Sequence, residues 1–307
     1  KDVEKICSNY ISLEYSDHAK DKFFKDFKKN IYDFTKNYNL YKQSDYLRKD
    51  FEKAFFLTSN PLSPNTSENY SLLKYISEDL NIKILSVQEA LKNEINIIPN
   101  ESISTAEINI SDYYFTFNNL SKVIEDGLKT RNGKAYTLGA PFIYKKIYNK
   151  SKKRRYQLNK KNPKYVFVST SVLRGNINGF RNSLNDLDNI NIEIDLINNS
   201  FSNVINKITY KPYIYGSKRY SDDNFIKNYI KKFSNLYYLD TSIDIKNILY
   251  KYDIFISMRA TSTISWLILS NKPFVFINSK IRNPLPKNLY HKFSRSFFLF
   301  DYEDRNF

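Results

Sequence analysis

The chain contains 307 residues, of which 41% are hydrophobic and 16% aromatic, so it can fill two α/β cores, and wholesale disorder is excluded. Its single cysteine, Cys7, excludes a disulfide framework and a cysteine zinc cluster, and its two distant histidines, His18 and His291, argue against a histidine metal site or a Ser-His-Asp triad. The net charge of +16 favours polyanionic partners such as nucleic acid, anionic lipid or phosphorylated substrates.

The first 144 residues are predicted to form a leading helical segment, residues 1–50, followed by an α/β domain. In the helical segment, Phe23, Phe27, Ile31 and Phe34 recur at steps of three and four, the spacing of one helix face. Short apolar runs then alternate with helical and turn-rich segments, which indicates β-loop-α-β units. The predicted strands are 54–57, 82–85, 113–117 and 135–138, and the predicted helices are 68–80 and 120–129.

A strongly basic segment, residues 145–164, follows and holds ten Lys and Arg residues. It has almost no apolar periodicity, so we interpret residues 145–162 as a linker between two domains. A solvated linker is one explanation of its charge. The alternative is an electrostatic contact with anionic lipid or substrate, where each basic residue near the surface contributes about 1 kcal/mol.

The C-terminal half, residues 163–307, has the clearest alternation of strands and helices in the chain. This alternation predicts a parallel, doubly wound sheet, and ligands of such sheets bind beyond the carboxyl ends of the strands. Segments 169–174, 216–219 and 257–263 are therefore expected on one rim. The predicted strands are 165–168, 192–196, a strand that ends at Lys211, 236–239, 253–257 and 273–277. Two of the predicted helices end near residues 187 and 206, and three more span 222–233, 244–251 and 261–269.

The strongest candidate site is the connection from the strand at 253–257 to the helix at 261–269. Thr261, Ser262 and Thr263 stand at the start of this helix, and Arg259 lies in the tight turn before it. A helix N-terminus presents free N–H groups and partial positive charge, so it binds phosphate readily, and Arg259 adds a full charge. The alternative is that a hydroxyl only caps the helix.

Two further segments are expected on the same rim. Lys211 ends a strand, and Lys218 and Arg219 follow in a loop, so three cations could neutralise a phosphate or a carboxylate sugar. A surface loop in a lysine-rich protein would look the same. A weaker signal follows the first strand of this half, and it consists of Ser169, Ser171 and Arg174.

The order of these elements, with Lys211-Pro212-Tyr213 after one strand and Ser262 and Thr263 at a helix start, resembles the donor domain of GT-B glycosyltransferases. It is most similar to the bacterial surface-polysaccharide enzymes of the Kdo and sialic-acid type, in which a Lys-Pro-His-Pro-like segment grips the nucleotide phosphate. Segment 139–144 resembles the Gly-x-Pro-Phe segment that closes the first domain of those enzymes. Tyr213 stands where the family has histidine.

The resemblance implies two Rossmann-like domains, an acceptor-side domain at 1–144 and a nucleotide-sugar donor domain at 163–307. It also implies that Lys211, Ser262 and Thr263 bind the donor phosphate. A CMP-linked acid sugar is the favoured donor; a UDP-sugar and a CDP-linked polyol phosphate stay open because Tyr213 replaces the histidine. The acceptor would be a glycan or glycolipid of capsule or lipopolysaccharide synthesis.

The catalytic group is not identified by any motif. Glycosyl transfer needs a carboxylate or histidine as general base, or a carboxylate nucleophile, and the first domain is expected to supply it. Glu68 and Asp112 are weak candidates, and the favoured interpretation of each is a helix cap or surface charge. His18 lies in a charged helix and is a poor candidate.

The sequence therefore predicts a cytoplasmic glycosyltransferase, peripheral at the inner membrane face, that needs no metal or other cofactor. No apolar run approaches the roughly 18–20 residues of a membrane span, and the N-terminus does not resemble a signal peptide. One alternative is a CDP-polyol phosphotransferase, which normally relies on histidines that this chain lacks. A second is a non-enzymatic nucleic-acid-binding protein, although no specific nucleic-acid motif is present.

Overall fold

A computed structural model describes residues 17–43, 55–58, 67–88, 111–126, 133–152, 161–169, 186–212, 225–239, 243–258, 262–281 and 284–304. The chain forms two compact units, each built on its own sheet. The first comprises Lys1–Glu89, Ile103–Thr116 and Glu125–Thr137, and the second comprises Ala90–Ser102, Phe117–Ile124 and Leu138–Phe307. The domain bounds expected from the sequence stay a prediction.

The first unit contains a four-stranded parallel sheet in the order β1-β2-β3-β4. Its strands are β1 (Phe55–Thr58), β2 (Lys83–Val87), β3 (Tyr113–Thr116) and β4 (Lys134–Thr137), and its helices are α1 (Asp17–Gln43) and α2 (Ser67–Asp79). The central strands bury Ile84 and Tyr114 completely. Gly133 precedes β4 where a Cβ atom would lie 2.1 Å from the Ser111 carbonyl oxygen, so only glycine permits this close approach.

Helices α1 and α2 pack against each other through a charged and aromatic cluster. The Lys42 ammonium lies 3.6 Å from the Asp79 carboxylate and 5.6 Å from the ring centroids of both Tyr38 and Tyr75. The hydroxyl of buried Tyr41 donates to the same carboxylate at 2.7 Å. One acidic residue of α2 therefore holds two side chains of α1.

The second unit contains a six-stranded parallel sheet in the order β10-β9-β8-β5-β6-β7. Its strands are β5 (Tyr165–Val168), β6 (Ile208–Lys211), β7 (Leu236–Tyr238), β8 (Ile254–Ser257), β9 (Phe274–Asn278) and β10 (Phe298–Asp301). Its helices are α4 (Phe142–Lys152), α5 (Asp186–Asn199), α6 (Phe225–Ile230), α7 (Ile245–Ile248), α8 (Ser262–Leu269) and α9 (Lys287–Ser296); α3 (Asn119–Asp126) lies mostly in this unit. Short 3₁₀ turns follow α5 and α7, at Phe201–Asn203 and Leu249–Lys251.

The inner strands of this sheet, β5, β6, β8 and β9, are largely buried on both faces, as expected of a parallel sheet. The edge strands β7 and β10 expose Tyr237, Phe298 and Phe300. Side chains alternate along β5, so Val166 packs into the core under α7, α8 and α9 while Phe167 packs into the core under α5 and α6. The chain winds outward from β5 to β7 and then returns to β8 on the other side of β5. Ligands of such sheets bind at this reversal.

One predicted strand is wrong. Residues 192–196 belong to α5, and a 3₁₀ turn replaces the helix predicted to reach residue 206. The isoleucines alternate with polar residues, which indicated a strand, but two of those polar residues, Asn189 and Glu193, are only 1% exposed. Together with Ile192, Leu196 and Ile197 they form a buried stripe at helical spacing. Hydrophobic periodicity cannot detect a stripe that includes a buried carboxylate.

The α/β class, the parallel sheets and most remaining elements are confirmed within one or two residues where the structure describes them. The basic segment begins in helix α4, and its residues 153–160 lie outside the described residues, as do the loop and helix predicted for residues 170–185. The sequence did not predict α9 and β10, which extend the sheet beyond β9. Within the described residues, no helix is long and apolar enough to cross a membrane.

Candidate phosphate-binding site

The carboxyl ends of β6, β5 and β8 meet in the middle of the sheet of the second unit. Val168 of β5 is in register with Lys211 of β6 on one side and with Ser257 of β8 on the other. Because neighbouring strands lie about 4.8 Å apart, the Cα atoms of Lys211 and Ser257 are about 10 Å apart. The sheet therefore brings these ends, and the segments that leave them, to one edge.

Lys211 is buried at this edge, with 2% of its surface exposed, although lysine is almost never fully buried without a partner. Its Nζ atom donates to the carbonyl oxygen of Pro212 at 3.0 Å. Burial lowers the pKa of the amine, and the negative charge of Asp244 offsets part of that shift. An ammonium group has three donors, so an anion at this edge would gain charge-assisted hydrogen bonds from a group that is already desolvated.

A buried polar network includes Tyr210, the residue before Lys211, and lies on the α5 side of the sheet. The hydroxyl of Ser169, the residue after β5, donates to the Glu193 carboxylate at 2.7 Å from Oε1 and 2.9 Å from Oε2. The Tyr210 hydroxyl lies 2.8 Å from Ser169 Oγ and also contacts Glu193. Burial and the adjacent carboxylate raise the pKa of Tyr210 well above its usual value, so its hydroxyl stays protonated and able to donate.

This network fixes Ser169, the residue that follows β5. The backbone N–H of Ser169 donates to the Lys211 carbonyl at 3.0 Å, and its side chain is held by Glu193 of α5. The sequence identified Ser169 as a candidate but did not identify Glu193. The signal that could have revealed Glu193 is its i+4 spacing from Asn189 within an isoleucine-rich run.

Helix α8 begins at Ser262, just beyond the carboxyl end of β8, as the sequence predicted. Ser262 and Thr263 are half-buried, and the next turn is anchored in the core by Ile264 and Leu267, which are 0% exposed. The helix ends before Asn271, whose φ of 53° is the left-handed conformation common after a helix C-terminus. Both hydroxyl residues thus lie in the first turn of a rigidly packed helix.

Other predicted site residues lie outside the described residues, and their roles stay predictions; they are Ser171, Arg174, Lys218, Arg219, Arg259 and Thr261. Of the proposed catalytic carboxylates, Glu68 is the second residue of α2, and its side chain is outside the described residues, as is that of His18 in α1. Asp112 precedes β3, where it accepts from the Ile84 N–H at 2.8 Å and lies 3.5 Å from Lys83 Nζ. These contacts give Asp112 a structural role at the amino end of the first sheet.

The second unit also has an apolar cavity of about 320 Å³ on the α5 side of its sheet. The first residues of β5 and β6 line it, so it lies toward the amino ends of these strands, away from Lys211. The other lining residues are Leu196, Ser200, Phe201, Val204, Ile256, Val275, Ile277 and Phe300. It is not part of the candidate phosphate site.

The structure thus defines an α/β protein of two Rossmann-like units with a buried cation at the carboxyl edge of the second sheet. No family model matches the chain, and no curated protein matches it.

Three solved structures are similar in part. A trehalose-6-phosphate synthase aligns at 11% identity and a TM-score of 0.41, over 77% of this chain and 61% of its own. The UDP-GlcNAc 2-epimerase of Methanocaldococcus jannaschii aligns at 11% identity and a TM-score of 0.40, over 80% of this chain and 66% of the epimerase. The glycosyltransferase SnogD of Streptomyces nogalater aligns at 8% identity and a TM-score of 0.29, over 73% of this chain and 81% of SnogD. The chain spans less than two thirds of the length of the first two. None reaches a TM-score of 0.5, so the fold class rests on the two sheets described above.

Proposed function

We propose that the protein transfers a sugar from a nucleotide-activated donor to a glycan or glycolipid acceptor. The observation that carries this proposal is Lys211, a buried lysine at the carboxyl end of a strand next to the point where the sheet reverses. Burying a charged amine costs free energy unless the amine is paired, and buried groups with a shifted pKa cluster at functional sites. A donor phosphate is the anion that this position suits.

The proposed donor site extends along the same edge to Ser262 and Thr263 in the first turn of α8. Arg259 and Thr261 precede that turn, and Lys218, Arg219, Ser171 and Arg174 are the remaining proposed contacts. Free N–H groups at a helix start suit a phosphate, while additional cations would suit the carboxylate of an acid sugar. A CMP-linked acid sugar is therefore the favoured donor.

The transfer itself requires a group that removes the proton of the acceptor hydroxyl, or a carboxylate that first attacks the sugar. We propose that the first unit supplies this group. Of the two candidates, Glu68 is the residue to test first, because Asp112 is bonded to the Ile84 N–H and paired with Lys83 at the amino end of its sheet. The Ser169–Glu193–Tyr210 network has a different role in this scheme, because it supports the loop beside Lys211. The enzyme would work on the cytoplasmic side, peripheral to the inner membrane.

Thermal unfolding in the presence of CMP, UDP, GDP and CDP tests the proposal. A ligand that binds only the native state raises the melting temperature, by an amount that grows with concentration relative to Kd. We expect CMP to give the largest shift, and the shift to be lost in Lys211→Met. Lys207→Met is the matched control, because Lys207 is an exposed lysine immediately before the amino end of the same strand. Absence of a shift with every nucleotide would refute the donor site, and a shift with CDP alone would favour the phosphotransferase.

A further inference from the structure

Helix α4 and the segment before it present large apolar side chains to solvent. Phe142 is 77% exposed, Leu138 is 69% exposed and Ile143 is 44% exposed. Single exposed apolar residues are ordinary on protein surfaces, but these three lie within six consecutive positions, 138–143. The exposed apolar surface is therefore concentrated at the N-terminal end of one helix.

The opposite face of α4 is fixed in the second unit. Tyr144 is 6% exposed, and its ring stacks on Trp266 of α8 with a centroid distance of 4.3 Å. The same ring lies 5.7 Å from Phe117, and Ser151, two turns later, is also buried. Residues 142, 145, 146 and 149 occupy one face at helical spacing and point away from Tyr144. Phe142 therefore shares the outward face with lysines.

The charges of α4 and of the sequence that flanks it have a single sign. Lys145, Lys146, Lys150 and Lys152 of α4 are all exposed. No acidic residue occurs between Gly127 and Asn185, so nothing in the flanking sequence neutralises them. An exposed aromatic residue surrounded by lysines matches the two layers of an anionic bilayer surface, its acyl boundary and its phosphate headgroups.

We propose that α4 is an interfacial helix that docks on an anionic lipid surface, with Phe142 entering the acyl boundary and the lysines contacting headgroup phosphates. Ile143 follows Phe142 in α4 and Leu138 lies four positions before it, so both would add exposed apolar side chains to the inserted surface. The lysines alone would suit any polyanion, nucleic acid included, but a phosphate backbone offers no acyl region for Phe142. Docking rests on the proposed function in one respect, because a lipid-linked acceptor would explain why the protein binds a membrane. Lipid binding itself is independent of the donor site.

The test measures lipid binding by flotation with two kinds of vesicle, one of phosphatidylcholine and phosphatidylglycerol in equal parts and one of phosphatidylcholine alone. In a separate arm, fluorescence anisotropy measures binding to a labelled duplex oligonucleotide. Two variants disable the helix, Phe142→Ser and Lys145→Glu/Lys146→Glu; all three side chains are exposed, so the fold is retained. The matched controls are Ile205→Ser, which removes a residue that is 98% exposed, and Lys287→Glu/Lys292→Glu, which reverses two exposed lysines of α9.

We expect binding to the anionic vesicles only, about tenfold weaker in Phe142→Ser and at least about tenfold weaker in the double charge reversal, with both controls unchanged. Nucleotide-dependent thermal shifts should persist in all four variants, so the failure of lipid binding and the failure of the donor site are distinguishable. If the charge reversal weakens binding to the anionic vesicles but Phe142→Ser does not, the proposal is overturned, because that result indicates a general contact with polyanions. Preference for the oligonucleotide, or equal losses in the controls, would overturn it as well.

Discussion

Replacing Lys211 with methionine is expected to stabilise the free protein while weakening its binding of nucleotide. Methionine matches the lysine side chain up to the position of Cε and removes the amine, which is bonded to the Pro212 carbonyl in a residue that is 2% exposed. Relief of a buried charge of this kind stabilises proteins by about 0.5–2 kcal/mol. In a domain of roughly 150–250 residues, each kcal/mol raises the melting temperature by about 2–4 °C.

The loss of nucleotide binding follows from the missing donor. A hydrogen bond to a charged group contributes about 1.5–3 kcal/mol, so Kd should rise by about tenfold to 150-fold. Titration calorimetry with the nucleotide that gives the largest thermal shift would measure this change. Lys207→Met, on the exposed residue that precedes the same strand, should leave both affinity and melting temperature unchanged.

The pH dependence gives an independent check of the same residue. The pKa of Lys211 is lower in the folded protein than in the unfolded chain, so the unfolded chain binds this proton more tightly. The resulting penalty is fully present below the folded pKa and disappears as pH rises toward the unfolded value of about 10.4. The advantage of Lys211→Met in melting temperature should therefore be largest near neutral pH and shrink toward pH 10. A less stable variant with unchanged nucleotide affinity would refute this account of Lys211.

Three further substitutions test the framework around the site by urea denaturation. Glu193→Ala leaves the Ser169 hydroxyl without its acceptor and removes one of the two acceptors of the Tyr210 hydroxyl, which should cost about 1–3 kcal/mol; an unchanged midpoint would mean that the network contributes nothing to stability. Gly133→Ala places a Cβ atom 2.1 Å from the Ser111 carbonyl oxygen, so we expect a loss of at least about 2 kcal/mol, and a normal midpoint would contradict the close approach. Ile197→Ala, at a position 1% exposed on the inner face of α5, should cost about 2–5 kcal/mol; a negligible cost would argue that this segment is not a packed helix.

The sequence by itself determined most of the strands that build the second sheet, β10 excepted. Strands β5, β8 and β9 are short, nearly continuous runs of apolar β-formers bounded by polar or turn residues, so composition alone separates them from the helices between them. The position of Lys211 at the end of β6 and the start of α8 near Ser262 follow from the same boundaries. The parallel order follows too, because strands joined by helices pair in this way.

Only the tertiary structure decided what happens to polar side chains inside those elements. Glu193 lies 24 positions from Ser169 and Tyr210 lies 41 positions from Ser169, so no local pattern indicates that they share one network. Helix α5 was missed for the same reason, because the buried carboxylate of Glu193 counts as polar in any hydrophobic periodicity. The hydrogen-bond partners of Glu193 come from the end of β5 and from β6, which are distant in the sequence. The depth of Lys211 is also a tertiary property, because a lysine at a strand end is solvated or buried according to what later parts of the chain pack over it.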